Sequence, residues 1–146
     1  MYKKILVAYN GTPESRAALH ECIKLAPGSD AQVHLLGVVY FPSGYMLAGE
    51  YIPEAALVQE KERMQSDLAE AHALFAKAGL SVIDHLAVGE PVEVISKLAG
   101  ELGIEIVILG HRRSKSLAAR WWRGSVDVSL LEKVRCSLLI ALESGR

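Results

Sequence analysis

Residues 3–15, KKILVAYNGTPES, place an apolar run directly before a turn and the start of a helix. The run from Lys3 to Tyr9 has the length and apolar character of a buried strand. Asn10-Gly11 is a turn signal, Thr12 is a good N-cap, and Pro13 suits the first position of a helix. The segment therefore predicts a strand followed at once by a helix, as in a βαβ unit.

The same alternation of apolar runs and helical patterns continues along the rest of the chain. Four more apolar runs predict strands over residues 32–40, 81–88, 104–109 and 137–142. Four helices are predicted between them, with Gly or Pro residues at most of their ends. This order predicts an α/β fold with a five-stranded parallel doubly wound sheet in the order 3-2-1-4-5, as one domain over residues 1–146.

Composition limits the classes of function that the chain can have. The 146 residues are 51% hydrophobic and 23% charged, enough to bury a sizeable core. Sixteen Lys and Arg residues against 17 Asp and Glu give a net charge of −1, which argues against binding to nucleic acid or to a membrane surface. The chain shows neither a signal peptide nor a membrane span, and Cys22 and Cys136 form no C-x-x-C pattern. We therefore expect reduced thiols and a cytoplasmic protein.

Two loops are predicted to meet where the winding of the sheet reverses, between the first and fourth strands. In an open parallel sheet, ligands bind at this point, outside the carboxyl ends of the strands. The loops are Asn10 to Thr12 and Gly110 to Ser125, and each leads into a helix N-terminus, where backbone N–H groups favour anions. The second loop contains no acidic residue and five basic ones, Arg112, Arg113, Lys115, Arg120 and Arg123. The pattern predicts a phosphate site, with an ordinary polar loop as the alternative.

Three segments of the chain resemble the universal stress protein family. They are KKILVAYNGTPES, VGEPVEVISKLAGELGIEIVILG and GSVDVSLLEKVRCSLLIAL. Many family members bind ATP or another adenine nucleotide through a glycine motif after the fourth strand, and Gly110 and Gly124-Ser125 match its ends. Arg113 stands at the position of the motif's second glycine. Ten residues, rather than the nine of the motif, separate Arg113 from Gly124. Asn10 stands where ATP-binding members usually carry Asp.

This resemblance implies an adenine nucleotide alpha hydrolase-like fold and a cytoplasmic stress-response protein. Its regulatory ligand would be ATP or AMP, with any Mg²⁺ carried by the nucleotide. In the implied site, the base and ribose side has Asn10 and Val39, and the phosphate side has Gly110, Arg112, Arg113, Gly124 and Ser125. Gly11 and Thr12 are also expected to bind the nucleotide. The resemblance also implies a homodimer through the edge strand Ser137–Leu142. The alternative is a nucleotide-independent dimeric interaction module with a closed pocket.

Catalysis is not expected, because acid–base chemistry on a phosphate needs a carboxylate or histidine near the attacking water. Only His111 lies at the predicted site, so slow ATP hydrolysis is the most that we leave open. The other histidines, His20, His34, His72 and His85, are expected to be structural or solvent-facing, and none has zinc-ligand spacing. Trp121-Trp122 is either a lid over the nucleotide or a packed helix face. The acidic residues of the long helix, including Asp67 and Glu70, are expected on a solvated face.

Overall fold

The computed structural model describes residues 1–26, 30–40, 54–112 and 126–143, with the backbone alone described at 126–128. Its helices are α1 (Pro13–Leu25), α2 (Glu54–Lys77), α3 (Pro91–Leu102) and α4 (Val126–Lys133). Its strands are β1 (Lys4–Ala8), β2 (Gln32–Tyr40), β3 (Val82–Gly89), β4 (Ile106–His111) and β5 (Ser137–Leu142).

The five strands form one parallel sheet in the order β3-β2-β1-β4-β5, as predicted. The fourth strand starts and ends two residues later than its apolar pattern suggests. The strand starts later than predicted because the Ile104 N–H bonds to the Ala99 carbonyl at 2.9 Å, which makes Ile104 part of the end of α3. At its other end, Gly110 and His111 still pair with β5. Gly110 is therefore a strand residue and does not open the following loop.

Helices cover both faces of the sheet, and the sheet separates the interior into two cores. One core lies under α1 and α2 and includes Val7, Leu35 and Phe75. The other lies under α3 and α4 and includes Leu6, Leu36 and Ile95. The central strand β1 contributes to both, because alternate residues of a strand point to opposite faces. Its middle residues are consequently fully buried, as expected for a parallel sheet covered on both sides.

Both cysteines are free thiols. Cys22 is buried in the first core, and burial raises the pKa of its thiol to about 12. Cys136 is half-buried, and burial also raises the pKa of its thiol. The two therefore serve as small apolar side chains in packing rather than as nucleophiles. In the part of the chain that the structure describes, no helix has the length and apolar character needed to cross a membrane.

A hydrogen-bonded chain of three side chains joins β2 to β3. His34 Nε2 lies 3.0 Å from Gln32 Oε1, and His34 Nδ1 lies 2.8 Å from His85 Nε2. Because the Gln32 oxygen can only accept, the neutral His34 ring carries its proton on Nε2 and accepts at Nδ1 from His85. His34 is 3% exposed, and burial, His85 and Lys4 all lower the pKa of its ring, with burial as the largest cause.

The lowered pKa of His34 predicts that the protein loses stability as pH falls through about 6.5, the ordinary histidine value. Below that pH the unfolded chain binds a proton at His34, while the folded protein keeps the ring neutral. The contribution of His34 to the free energy of unfolding is therefore fully present only above about pH 6.5. The free energy of unfolding in urea should fall between pH 7.5 and 5.5, and His34→Gln should reduce that fall. His20→Gln, on the exposed side of α1, is the control. An equal fall in His34→Gln and wild type would contradict the assignment. Glu105 does not interfere, because backbone N–H bonds from Lys3 and Lys4 lower the pKa of its carboxyl below this window.

Candidate functional site

A pocket of about 300 Å³ opens at the carboxyl ends of β1, β2 and β4. One side of it is apolar and is formed by residues of β2, β4 and α3, namely Leu36, Val38, Pro91, Ile95 and Leu109. The other side is polar and is formed by the turn after β1, the first turn of α1 and the end of β4, namely Asn10, Thr12, Glu14, Ser15 and His111. The pocket thus lies in the crevice between β1 and β4, where a doubly wound sheet binds its ligands.

Gly110 lets α1 come close to β4 and so shapes one wall of this pocket. A Cβ at Gly110 would overlap the backbone carbonyl of Glu14 and would lie 2.7 Å from the Ser15 nitrogen. Any side chain at this position would therefore push the first turn of α1 away from the strand. Helix packing by itself explains why this position is glycine, and contact with a phosphate is not needed to account for it.

The turn between β1 and α1 is held by a network of short polar side chains. Asn10 Oδ1 accepts hydrogen bonds from the Thr12 hydroxyl at 2.6 Å and from the Thr12 N–H at 3.2 Å. Thr12 Oγ1 accepts from the Ser15 N–H at 3.3 Å, and so caps the helix as predicted. Gly11 lies between them with a φ of 81°, a conformation that favours glycine. The Asn10 amide is oriented by these bonds, which leave its NH₂ group as the part that can donate to a ligand.

The N-terminus of α1 is less suited to an anion than the sequence pattern suggests. Pro13 has no N–H, the Ser15 N–H is bonded to Thr12 Oγ1, and the Arg16 N–H is bonded to the Thr12 carbonyl at 3.0 Å. Within the described residues, Glu14 supplies the one first-turn N–H without a bond, and this acidic residue itself lines the pocket. At α1, these bonds and the charge of Glu14 leave few donors for the phosphate that the sequence pattern predicts at both helix N-termini.

The structure brings some of the predicted site residues together and separates others. Asn10, Thr12 and Gly110 line the pocket, whereas Gly11 and the exposed Arg112 are not among its lining residues. Arg113, Gly124 and Ser125 lie outside the described residues, as do Trp121-Trp122 and the remaining basic residues of that loop.

Val39 requires a correction. Its side chain is buried in the core under α1 and α2 and is not among the residues that line the pocket. Val38, one residue earlier, lines the pocket instead. Alternate residues of a strand face opposite sides, so a shift of one residue exchanges the two cores. Leu36, two residues before Val38, lies on the same face, but the sequence holds no signal for this choice, because Leu35 is equally apolar and lies in the opposite core.

Two acidic residues of α2 that were expected on a solvated face also contact the β1–α1 segment, although the Glu70 side chain is 55% exposed. Glu70 Oε1 lies 3.2 Å from the Tyr9 hydroxyl and 2.6 Å from the Arg16 guanidinium. The Asp67 carboxylate lies against Gly11. Both side chains therefore contact the segment that carries Asn10 and Thr12, although they lie more than 50 residues away in the chain.

These features define a class of protein, an α/β domain with a ligand crevice at the switch point of a doubly wound sheet. The sequence model of the Universal stress protein family matches residues 1–141, and the chain belongs to this family. A curated relative, the universal stress protein YxiE of Bacillus subtilis, is 26% identical over 147 residues, covering 96% of this chain and 99% of the relative.

Solved structures show the same fold at low sequence identity. The hypothetical protein MJ0577 matches with a TM-score of 0.80 at 22% identity, over 100% of this chain and 99% of its own. A universal stress protein solved in complex with cAMP matches with a TM-score of 0.64 at 19% identity, over 98% of each chain. A family protein of Arabidopsis thaliana with AMP bound matches with a TM-score of 0.66 at 14% identity, over 98% of this chain and 93% of its own.

The close approach at Gly110 predicts that Gly110→Ala destabilises the protein by about 1–3 kcal/mol, the usual cost of overpacking a close contact. The matched control is Gly100→Ala in α3, where an added Cβ meets nothing within 4 Å. That change should stabilise by about 0.5–1 kcal/mol, because alanine favours a helix interior over glycine. Urea unfolding measures both values. An unchanged stability in Gly110→Ala would show that the β4–α1 packing tolerates a side chain.

Proposed function

We propose that this universal stress protein binds an adenine nucleotide as a regulatory ligand in the pocket between β1 and β4. The observation that carries the proposal is the pairing of an apolar wall with a polar wall in one crevice. A flat base suits the first wall, and ribose hydroxyls suit the second. The volume of about 300 Å³ is at the lower end for small-molecule sites, which favours a buried nucleoside with its phosphates outside.

The base side of the proposed site is formed by β2 and α3. Leu36, Val38 and Ile95 supply apolar surface for a purine ring. The Leu36 carbonyl accepts from the Tyr9 N–H at 2.9 Å, at the end of β1. Since backbone groups alternate along a strand, the N–H and C=O of Val38 point to this same edge, beyond the last residue of β1. They supply a donor and an acceptor for the edge of the base.

The ribose and phosphate sides follow from the charges at the pocket. Asn10 and Thr12 present an amide and a hydroxyl for the ribose, while the Glu14 carboxylate disfavours a phosphate beside α1. We therefore place the phosphates towards the segment after β4, with Arg112, Arg113, Gly124 and Ser125 as their ligands, and any Mg²⁺ on the nucleotide. Arginine suits this role because its guanidinium donates several hydrogen bonds to phosphate oxygens.

The structural relatives support an adenine nucleotide, since one was solved with cAMP and another with AMP. We propose regulation rather than catalysis, in the cytoplasm, with His111 as a ligand contact. Whether ATP or AMP is the preferred ligand is the first question for the experiment below.

Calorimetric titration with ATP, ADP, AMP and cAMP tests the proposed site. Wild-type protein should bind at least one of them, and Val38→Phe should weaken binding about tenfold or more, because the larger ring occupies the pocket. Val58→Phe, at an exposed position of α2, is the control and should bind like wild type. No binding of any nucleotide at millimolar concentration would contradict the proposal and would favour a nucleotide-independent interaction module.

We also propose a homodimer through β5, which lies at the edge of the sheet. Near this edge Leu142 is 43% exposed and Leu131 of α4 is 66% exposed, and an apolar edge strand favours pairing with another chain. Sedimentation analysis should give a dimer for wild type and a shift towards monomer for Leu142→Lys. Val58→Lys, an equal change on α2, should remain dimeric. A monomeric wild type would exclude the proposed assembly.

A further inference from the structure

One carboxylate oxygen of α2 joins two residues on either side of the β1–α1 turn. Tyr9 directly precedes the turn, and its ring is 2% exposed. Burial raises the pKa of the Tyr9 phenol, so its hydroxyl keeps the proton and donates to Glu70 Oε1 at 3.2 Å. Arg16, in the first turns of α1, donates to the same oxygen at 2.6 Å. We refer to Tyr9, Arg16 and Glu70 together as the turn clamp.

A second contact from α2 reaches the turn itself. Asp67 lies three residues before Glu70, on the same side of the helix. Its carboxylate atoms are 3.0–3.1 Å from the point that a Cβ of Gly11 would occupy. Asp67 thus lies beside Gly11 on the α2 side, while Asn10 and Thr12 are hydrogen-bonded to one another and line the pocket. The turn is consequently enclosed between the pocket and α2.

The clamp has a direct route to the pocket through Tyr9. The Tyr9 residue lines the pocket, while its side chain is buried in the core under α1 and α2. Its backbone N–H is bonded to Leu36, another lining residue. A displacement of the Tyr9 ring would therefore move backbone that lines the pocket and would shift Asn10, the next residue.

We propose that α2 positions the ligand-binding turn and that Glu70 is a positioning residue, acting through Tyr9 and Arg16. The inference rests on the proposed function, because it assigns Glu70 a role in binding the nucleotide. Glu70 and Arg16 are 55% and 46% exposed, so their ion pair contributes little to global stability. Its main effect is to hold the turn in its binding conformation before the ligand arrives, which removes an ordering cost from binding.

The test measures ligand affinity and turn mobility in the same set of variants. They are Glu70→Ala, Glu70→Gln, which keeps an acceptor for Tyr9, and Tyr9→Phe, which keeps the ring in the core. The control is Glu62→Ala, an exposed position on the same helix with no ion pair in the described residues. The readouts are the Kd of AMP by calorimetry and, without ligand, amide hydrogen exchange at Gly11 and Thr12.

We expect Glu70→Ala to raise the Kd about fivefold or more and to speed exchange at both amides. Glu70→Gln and Tyr9→Phe should show smaller changes in the same direction, and Glu62→Ala should match wild type. Unchanged exchange in Glu70→Ala and Tyr9→Phe would overturn the clamp. Faster exchange with an unchanged Kd would overturn its role in binding. If wild type binds no nucleotide, the proposed function fails, and the exchange data still decide whether the clamp holds the turn.

Discussion

The pocket depends on the close approach of β4 to the first turn of α1 at Gly110. A side chain there would overlap the Glu14 backbone, so the absence of a Cβ determines how near the helix lies to the strand. Because of this close approach, Glu14 and Ser15 in the first turn of α1 form one wall of the pocket together with His111. The same contact between Gly110 and α1 also positions the turn before the helix, which carries Asn10 and Thr12. Without it, the ends of β1 and β4 would still be adjacent, but they would not share a closed polar wall.

The charges around this wall make the two sides of the crevice suitable for different parts of a ligand. Helix α1 satisfies most of its own first-turn donors through Thr12, and Glu14 adds a negative charge there. In the proposed complex, a nucleotide would therefore have its uncharged part beside α1 and its phosphates towards the segment that follows β4. The turn clamp adds a third element, because it connects α2 to the two ends of the turn that carries Asn10 and Thr12. The proposed positioning role of Glu70 would in this way couple ligand binding to a helix that does not line the pocket.

The alternation of strands and helices was predictable because glycine, proline and capping residues mark most of their ends, and the sheet order was predicted correctly. The choice between Val38 and Val39 was not. In a strand buried on both faces, both valines satisfy the apolar pattern, so hydrophobicity carries no information on which one faces the pocket. Glu70 was missed for a related reason: a carboxylate on an amphipathic helix suits solvent equally well, and its partner Tyr9 is 61 residues away.

The sequence by itself determined the class of fold, the position of the crevice and the helix cap at Thr12. These features depend on local patterns, on turn chemistry and on the general rule that parallel strands end at one edge of the sheet. Only the tertiary structure decided that Gly110 is required by helix packing, that Val38 lines the pocket and that Glu70 of α2 bonds to Tyr9 and Arg16. Each of these depends on the distance or orientation between residues far apart in the chain, and such distances are set by how whole elements pack.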